Sequence, residues 1–197
     1  MAKLFFRYGA MNSGKSTALM QVAFNYEERG MNILLLKPRI DTKGGDIIVS
    51  RLGVSRKVDI LIEKDMDLQA EIRKYLTIMP IHCVLIDEVQ FLNSAQIDQL
   101  FQLVIEDNIP VICYGLRTDF LMNGFEGSQR LLLLAHSIEE LKTICRCGRK
   151  ALLNARKVDD KFVFVGAQVA IDGDVHYESL CGECYLKYRK ENREEMF

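Results

Sequence analysis

The stretch GAMNSGKS, Gly9 to Ser16, fits the pattern G-x-x-x-x-G-K-[ST] without a mismatch. It lies between a short apolar run, LFFRY (Leu4 to Tyr8), and a segment in which Ala18, Leu19, Val22 and Tyr26 recur at helical spacing until Gly30. Strand, glycine-rich turn and helix in that order make an anion site. The glycines let backbone N–H groups turn toward phosphates, and the helix N-terminus adds a positive dipole. Lys15 then reaches the β and γ phosphates, and the Ser16 hydroxyl ligates magnesium.

Outward from that loop the chain alternates. NILLLK (Asn32 to Lys37), HCVLID (His82 to Asp87) and PVICYG (Pro110 to Gly115) are continuous apolar runs, the pattern of strands buried on both faces. Helical spacing recurs over Asp67 to Tyr75 and over Asn93 to Asp107, the latter with Asn93 or Ser94 as N-cap. The expected fold is α/β, a P-loop NTPase-type, mostly parallel sheet flanked by helices. A phosphate loop of this kind works with an acid at the end of a neighbouring apolar strand, and CVLIDE (Cys83 to Glu88) supplies one. Asp87 is the candidate to hold magnesium with Ser16, and Glu88 the candidate general base. Two classes fit these residues: an NTPase whose hydrolysis drives a switch, and a small-molecule kinase. A chain of 197 residues leaves little room for a large partner domain and favours the kinase.

Composition adds bounds. With 26 basic against 27 acidic residues the net charge is −1, which gives no footprint for a polyanion, so no nucleic-acid partner is expected. The N-terminus lacks a charged segment followed by a long apolar stretch, and no run is long enough to span a bilayer; a cytoplasmic protein with no membrane partner is the expectation.

Six cysteines in a reducing compartment point to thiols or metal thiolates rather than disulfides. Cys83 and Cys113 fall inside predicted core strands and read as small hydrophobes. Cys145 and Cys147 form C-x-C, Cys181 and Cys184 form C-x-x-C, and 33 residues separate the pairs. Two close pairs around a hairpin-sized insert suit a tetrahedral, closed and therefore structural zinc site. After about Lys142 the texture becomes short-stranded, with ALLNARKV and KFVFVG flanking Asp159-Asp160 as a hairpin and YLKYRKENREEMF as a solvated helix. The expected division is residues 1–142 and 143–197. A zinc ribbon acting on nucleic acid, with Arg146, Arg149, Lys150, Arg156 and Lys157, is the rival reading, but it lacks an aromatic stacking platform. His82, His136 and His176 read as structural, and RLLLLAH as a core-facing strand or helix turn.

The motifs GAMNSGKST, KPRIDTK, IDEVQFL, YGLRTDF, FEGSQRLL, IEELKTICRCGRKA and YESLCGECY, in this order, resemble the thymidine kinases of the type II class, the zinc-containing P-loop deoxynucleoside kinases. The resemblance spans nearly the whole chain. It implies transfer of the ATP γ-phosphate to the 5′-hydroxyl of thymidine, with Glu88 taking the hydroxyl proton. Gly9, Ala10, Met11, Asn12, Ser13, Gly14, Lys15 and Ser16 would hold the phosphates, with Asp41, Thr42, Lys43, Asp87, Glu88, Val89 and Gln90 completing the nucleotide site. Met11, Phe91, Phe120 and Phe125 would bound the thymine pocket. A lasso-like loop anchored by the zinc site would cover the base, with backbone groups of Gln168, Val169, Ala170, Ile171 and Asp172 reading its edge and Tyr177 closing on it. The resemblance also implies a homotetramer and feedback inhibition by thymidine triphosphate. Lys43 stands where the family pattern has arginine, and Asn12 where relatives often carry an aromatic residue. Arg117, Arg130 and Arg156 are candidates for neutralising transition-state charge.

Overall fold

The computed structural model describes residues 1–39, 45–50, 53–168 and 175–194. The first part of the chain runs β1 Leu4–Tyr8, α1 Lys15–Glu27, β2 Ile33–Pro38, β3 Ile47–Val49, β4 Ser55–Lys57, β5 Ile60–Ile62, α2 Leu68–Leu76 and β6 Cys83–Ile86. A 3-10 turn Val89–Phe91 follows, then α3 Ser94–Glu106, β7 Val111–Gly115, α4 Glu126–Leu134 and β8 Ser137–Glu140. Six of these strands form one sheet in the order β5-β2-β6-β7-β1-β8, every neighbouring pair parallel.

Burial on both faces explains the continuous apolar runs. Leu34, Leu36, Val84, Ile86, Val111 and Cys113 face α2, α3 and α4, where Ile72, Leu100 and Leu131 are fully buried. The alternate residues Ile33, Leu35, Cys83, Leu85, Ile112 and Tyr114 face Leu19 and Ala23 of α1. Each buried Leu or Ile contributes about 1.5–3 kcal/mol, so the two clusters give this sheet its stability. Asn93 is the N-cap of α3 and closes a capping box with Gln96.

The sequence marks the four inner strands and misses both edges. β5 and β8 span only three and four residues, and β8 reads SIEE, too short and too polar to stand out. RLLLLAH is divided: Leu131 to Leu134 close α4, and the chain then turns into β8.

Beyond β8 lie a ribbon of β9 Thr143–Ile144 with β10 Lys150–Ala151, and an antiparallel sheet β12-β11-β13 built from β11 Leu153–Val158, β12 Lys161–Val163 and β13 Val175–Leu180. Asp159 and Asp160 both have positive φ, 47° and 62°, and turn β11 into β12. Helix α5, Gly182–Glu194, starts before the expected tail segment and brings Cys184 and Tyr185 onto its first turns. A third, small apolar cluster of Cys145, Ala151, Ala155, Phe164, Leu180, Cys181 and Tyr185 holds this part together. Its largest member, Tyr185, also donates to the Phe120 carbonyl at 2.6 Å and ties the small sheet to the loop after β7.

Candidate active site

The phosphate loop emerges from the C-terminal end of β1 beside β7, where Gly9 N–H donates to the Gly115 carbonyl at 3.3 Å. A side chain at Gly9 would put its Cβ 2.5 Å from the Leu141 carbonyl, so only glycine fits. Gly14 sits at φ 79° as the N-cap of α1, and Asn12 at φ 66° takes the other left-handed position, which asparagine tolerates. Lys15 is buried against the loop, its Nζ donating to the carbonyls of Ala10 at 3.0 Å and Gly9 at 3.3 Å. Met11, Asn12, Gly14, Lys15, Ser16, Glu88 and Leu116 are among the residues that line a cleft of about 710 Å³ over this loop.

Asp87 directly follows the last residue of β6, at the same C-terminal edge of the sheet. Its Oδ2 accepts from Ser16 Oγ at 3.0 Å and its Oδ1 from Glu88 N–H at 3.1 Å. Burial pushes its carboxyl up to about 7, and the Glu88 charge adds to this, while Ser16 and Lys15 oppose it. Glu88 itself has φ 51°, a left-handed backbone that costs a non-glycine residue roughly 1–2 kcal/mol. The geometry is held by Gln90, whose Nε2 donates to Glu88 Oε2 at 2.5 Å while its Oε1 accepts from Leu116 N–H at 3.0 Å. Gly115 leaves room for that amide, since a Cβ there would lie 2.6 Å from Gln90 Oε1. Gln90 is thus a buried strut behind Glu88, and Val89 is wholly within the core.

Gln90 also lines a second cleft, of about 360 Å³. Phe91, Phe125 and Gln168 line it along with Gln90, and the rings of Phe91 and Phe125 meet edge to face at 5.6 Å. Phe120 does not line it. Its buried ring lies under the Arg156 guanidinium, 3.7 Å from the centroid. Arg156 also donates to the carbonyls of Ala167 at 2.7 Å and Gln168 at 3.2 Å and to the Tyr177 hydroxyl at 3.0 Å. Both ends of the segment around residues 169–174 are therefore fastened to one buried cation. Asp119 adds a second fastening, accepting from Gln168 Nε2 at 3.3 Å and from the N–H groups of Leu121 and Asn123 at 2.8 Å. Asp41, Thr42, Lys43, Val169, Ala170, Ile171 and Asp172 lie outside the described residues.

Cys145, Cys147, Cys181 and Cys184 converge, their sulfurs all within 4.8 Å of one another and Cys147 Sγ 3.6 Å from Cys181 Sγ. Sulfurs bound to zinc at about 2.3 Å in a tetrahedron stand about 3.8 Å apart, so the donor set could hold that ion. The crowded thiols perturb one another in opposite directions: against its burial, N–H groups of Cys147 and Cys181 and the neighbouring thiols bring Cys145 down to about 7, while hydrogen bonds with Cys147 and Cys181 push Cys184 up to about 12. Cys83 and Cys113 are fully buried in the sheet and pushed up by desolvation, Cys83 to about 12.

The arginine candidates separate. Arg130 pairs with Asp98 at 2.6 Å, Arg117 stacks over the Tyr8 ring, and Arg156 is the buried fastening just described. His82 and His136 accept backbone N–H bonds from Asn32 and Leu4, both at 3.0 Å. Sequence reasoning missed Asp119, Asn154 and Ser179. The bonds of Asn154 and Ser179 to Met11, and that of Asp119 to Gln168, join segments distant in sequence, and no local pattern announces such contacts.

The thymidine kinase family model matches residues 2–185. The thymidine kinase of Pasteurella multocida is 49% identical over 92% of this chain and 95% of its own length. The enzymes of Enterobacteria phage T4 and Vibrio cholerae are 46% and 47% identical, covering 92% and 94% of this chain and 94% and 97% of theirs. A solved structure of Pif1 helicases at forked double-stranded DNA overlays on 71% of this chain and 39% of its own at 16% identity and a TM-score of 0.37, too slight a likeness to carry any argument. The matches do not favour a nucleic-acid-acting ATPase, and no helix among the described residues is long and apolar enough to cross a membrane. Over almost its full length, this chain belongs to the thymidine kinase family.

Proposed function

We propose that this protein transfers the γ-phosphate of ATP to the 5′-hydroxyl of thymidine. The observation that carries this reading is the position of Glu88: it lines the phosphate-loop cleft and is braced by Gln90, which lines the aromatic cleft. A proton acceptor in the phosphate-loop cleft, hydrogen-bonded to a residue that lines the aromatic cleft, suits an acceptor hydroxyl bound beside a phosphoryl group.

In this reading the backbone N–H groups of the phosphate loop and Lys15 take the charge spread over the transferred phosphoryl oxygens. Ser16 and Asp87, whose side chains already meet at 3.0 Å beside the phosphate loop, would hold magnesium. The ion, when bound, neutralises charge on the β and γ phosphates. Asp41, Thr42 and Lys43 complete the nucleotide side. Phe91 and Phe125 pack the thymine ring, Met11 bounds it from the phosphate-loop side, and backbone groups from Gln168 to Asp172 read the base edge while Tyr177 closes over it; Phe120 bears on the site only through its contact with Arg156. Zinc on the four cysteines would be structural, since the protein fills all four positions. The division at residues 142 and 143, a cytoplasmic location, a homotetrameric assembly and inhibition by thymidine triphosphate belong to the same proposal and rest on the family.

Glu88→Gln tests it. Removing the base should lower kcat by about 10²–10⁴-fold with ATP affinity within about twofold of wild type. Turnover near that of wild type would remove Glu88 from the chemistry.

A further inference from the structure

The crest of the phosphate loop is not free-standing. Met11 N–H donates to Asn154 Oδ1 at 2.7 Å, and the Met11 carbonyl accepts from Ser179 Oγ. Asn154 and Ser179 lie directly opposite each other on β11 and β13, both buried, so one rung of the small antiparallel sheet grips one residue of the loop from both sides. Asn154 Nδ2 also reaches the Thr118 carbonyl at 3.3 Å, and Thr143 Oγ1 the Asn12 carbonyl at 3.4 Å. These contacts span between 36 and 168 residues of sequence, and all of them come from the cysteine-bearing part of the chain or end on it.

We propose that Asn154 and Ser179 are positioning residues for the phosphate loop, so that the part of the chain that fastens the covering loop also sets the geometry of the ATP site. The physical reason is local. Asn12 holds a left-handed φ of 66° one residue beyond the gripped Met11, and the orientation of the following N–H groups depends on keeping that turn. A Met11 N–H deprived of its acceptor in this half-buried setting would seek another, and the loop would turn with it. Neither side chain need touch the nucleotide. Both act through the backbone that does.

This inference rests on the phosphate loop being the ATP site, and one experiment separates the two claims. ATP affinity is measured by calorimetry without nucleoside for wild type, Asn154→Ala, Ser179→Ala, the double variant and Ser179→Thr, at a temperature where circular dichroism shows each folded. The expected result is a roughly tenfold rise in Kd for each alanine variant, equivalent to ~1.4 kcal/mol. The double variant should bind little more weakly than the worse single one, because both bonds fix the same residue. Ser179→Thr keeps a hydroxyl and should bind within about twofold of wild type. A merely structural role would lower thermal stability and leave the Kd of the folded variants unchanged, and that result overturns the inference. Wild-type protein that fails to bind ATP overturns the reading of the loop itself.

Discussion

The sheet of β1, β2 and β5 to β8 and the small sheet of β11 to β13 are held by different means. The first buries two apolar clusters on its two faces and requires no staple. The second has seven buried residues in its cluster, too few to stand alone, and adds four convergent cysteines, the Arg156 fastening and the grip on Met11. The difference is matched to task. Groups that must be rigid at the moment of phosphoryl transfer sit at strand ends of the well-packed sheet, and the segment proposed to cover the base is tied to the weaker one.

The comparison breaks first at Asp87. Asp87→Asn should lower turnover by at least ~100-fold, the upper range for lost partners of a metal site. It should also raise the melting temperature of the ligand-free protein. Burial lifts this carboxyl above its unfolded value, so its ionised form costs folding free energy increasingly as pH rises from about 4 toward 7. Asparagine removes that cost, and a pH series of melting curves should show the wild-type slope flattened in the variant.

Cys147→Ser probes the second sheet. It should lose bound zinc and lower hydrogen-exchange protection over β9 to α5 while β1, β6 and β7 stay protected. Thymidine affinity should fall sharply, with ATP affinity falling only as far as in Asn154→Ala. Equal loss of protection in both sheets would erase the distinction.

Arg156→Met keeps most of the side-chain volume and removes the bonds to Ala167, Gln168 and Tyr177. Thymidine KM should rise about tenfold, the size expected for charge-assisted bonds of ~1.5–3 kcal/mol partly replaced by other contacts, with kcat changing far less. Smallest is Asp67→Ala at the cap of α2, where the carboxylate accepts from Ala70 N–H at 2.9 Å. About 1 kcal/mol of stability and ~2–4 °C in Tm should go, without change in kinetics.

Legibility followed the same divide. Inner strands, the phosphate loop and the acid pair Asp87-Glu88 are local patterns whose residue types and spacing carry their own physics. The cysteine pairs were readable because metal ligation restricts spacing. The edge strands β5 and β8 were not, since β5 is only the three residues Ile60 to Ile62 and β8 reads SIEE, too short or too polar to show a periodicity. Gln90 as a strut to Leu116, Asp119 as an anchor for Gln168 and Asn154 with Ser179 as a grip depend on side chains meeting groups far away in sequence. The left-handed Glu88 was equally hidden, because glutamate has no preference for that region.

The most direct test of the whole account follows the phosphoryl group itself. Protein is incubated with ATP labelled in the γ position and either thymidine or DNA, single-stranded and double-stranded. The account predicts label on the 5′ oxygen of thymidine in equal amount to the ADP formed, with no stimulation of ATP consumption by DNA. Release of labelled inorganic phosphate that depends on DNA, with none on thymidine, would contradict it.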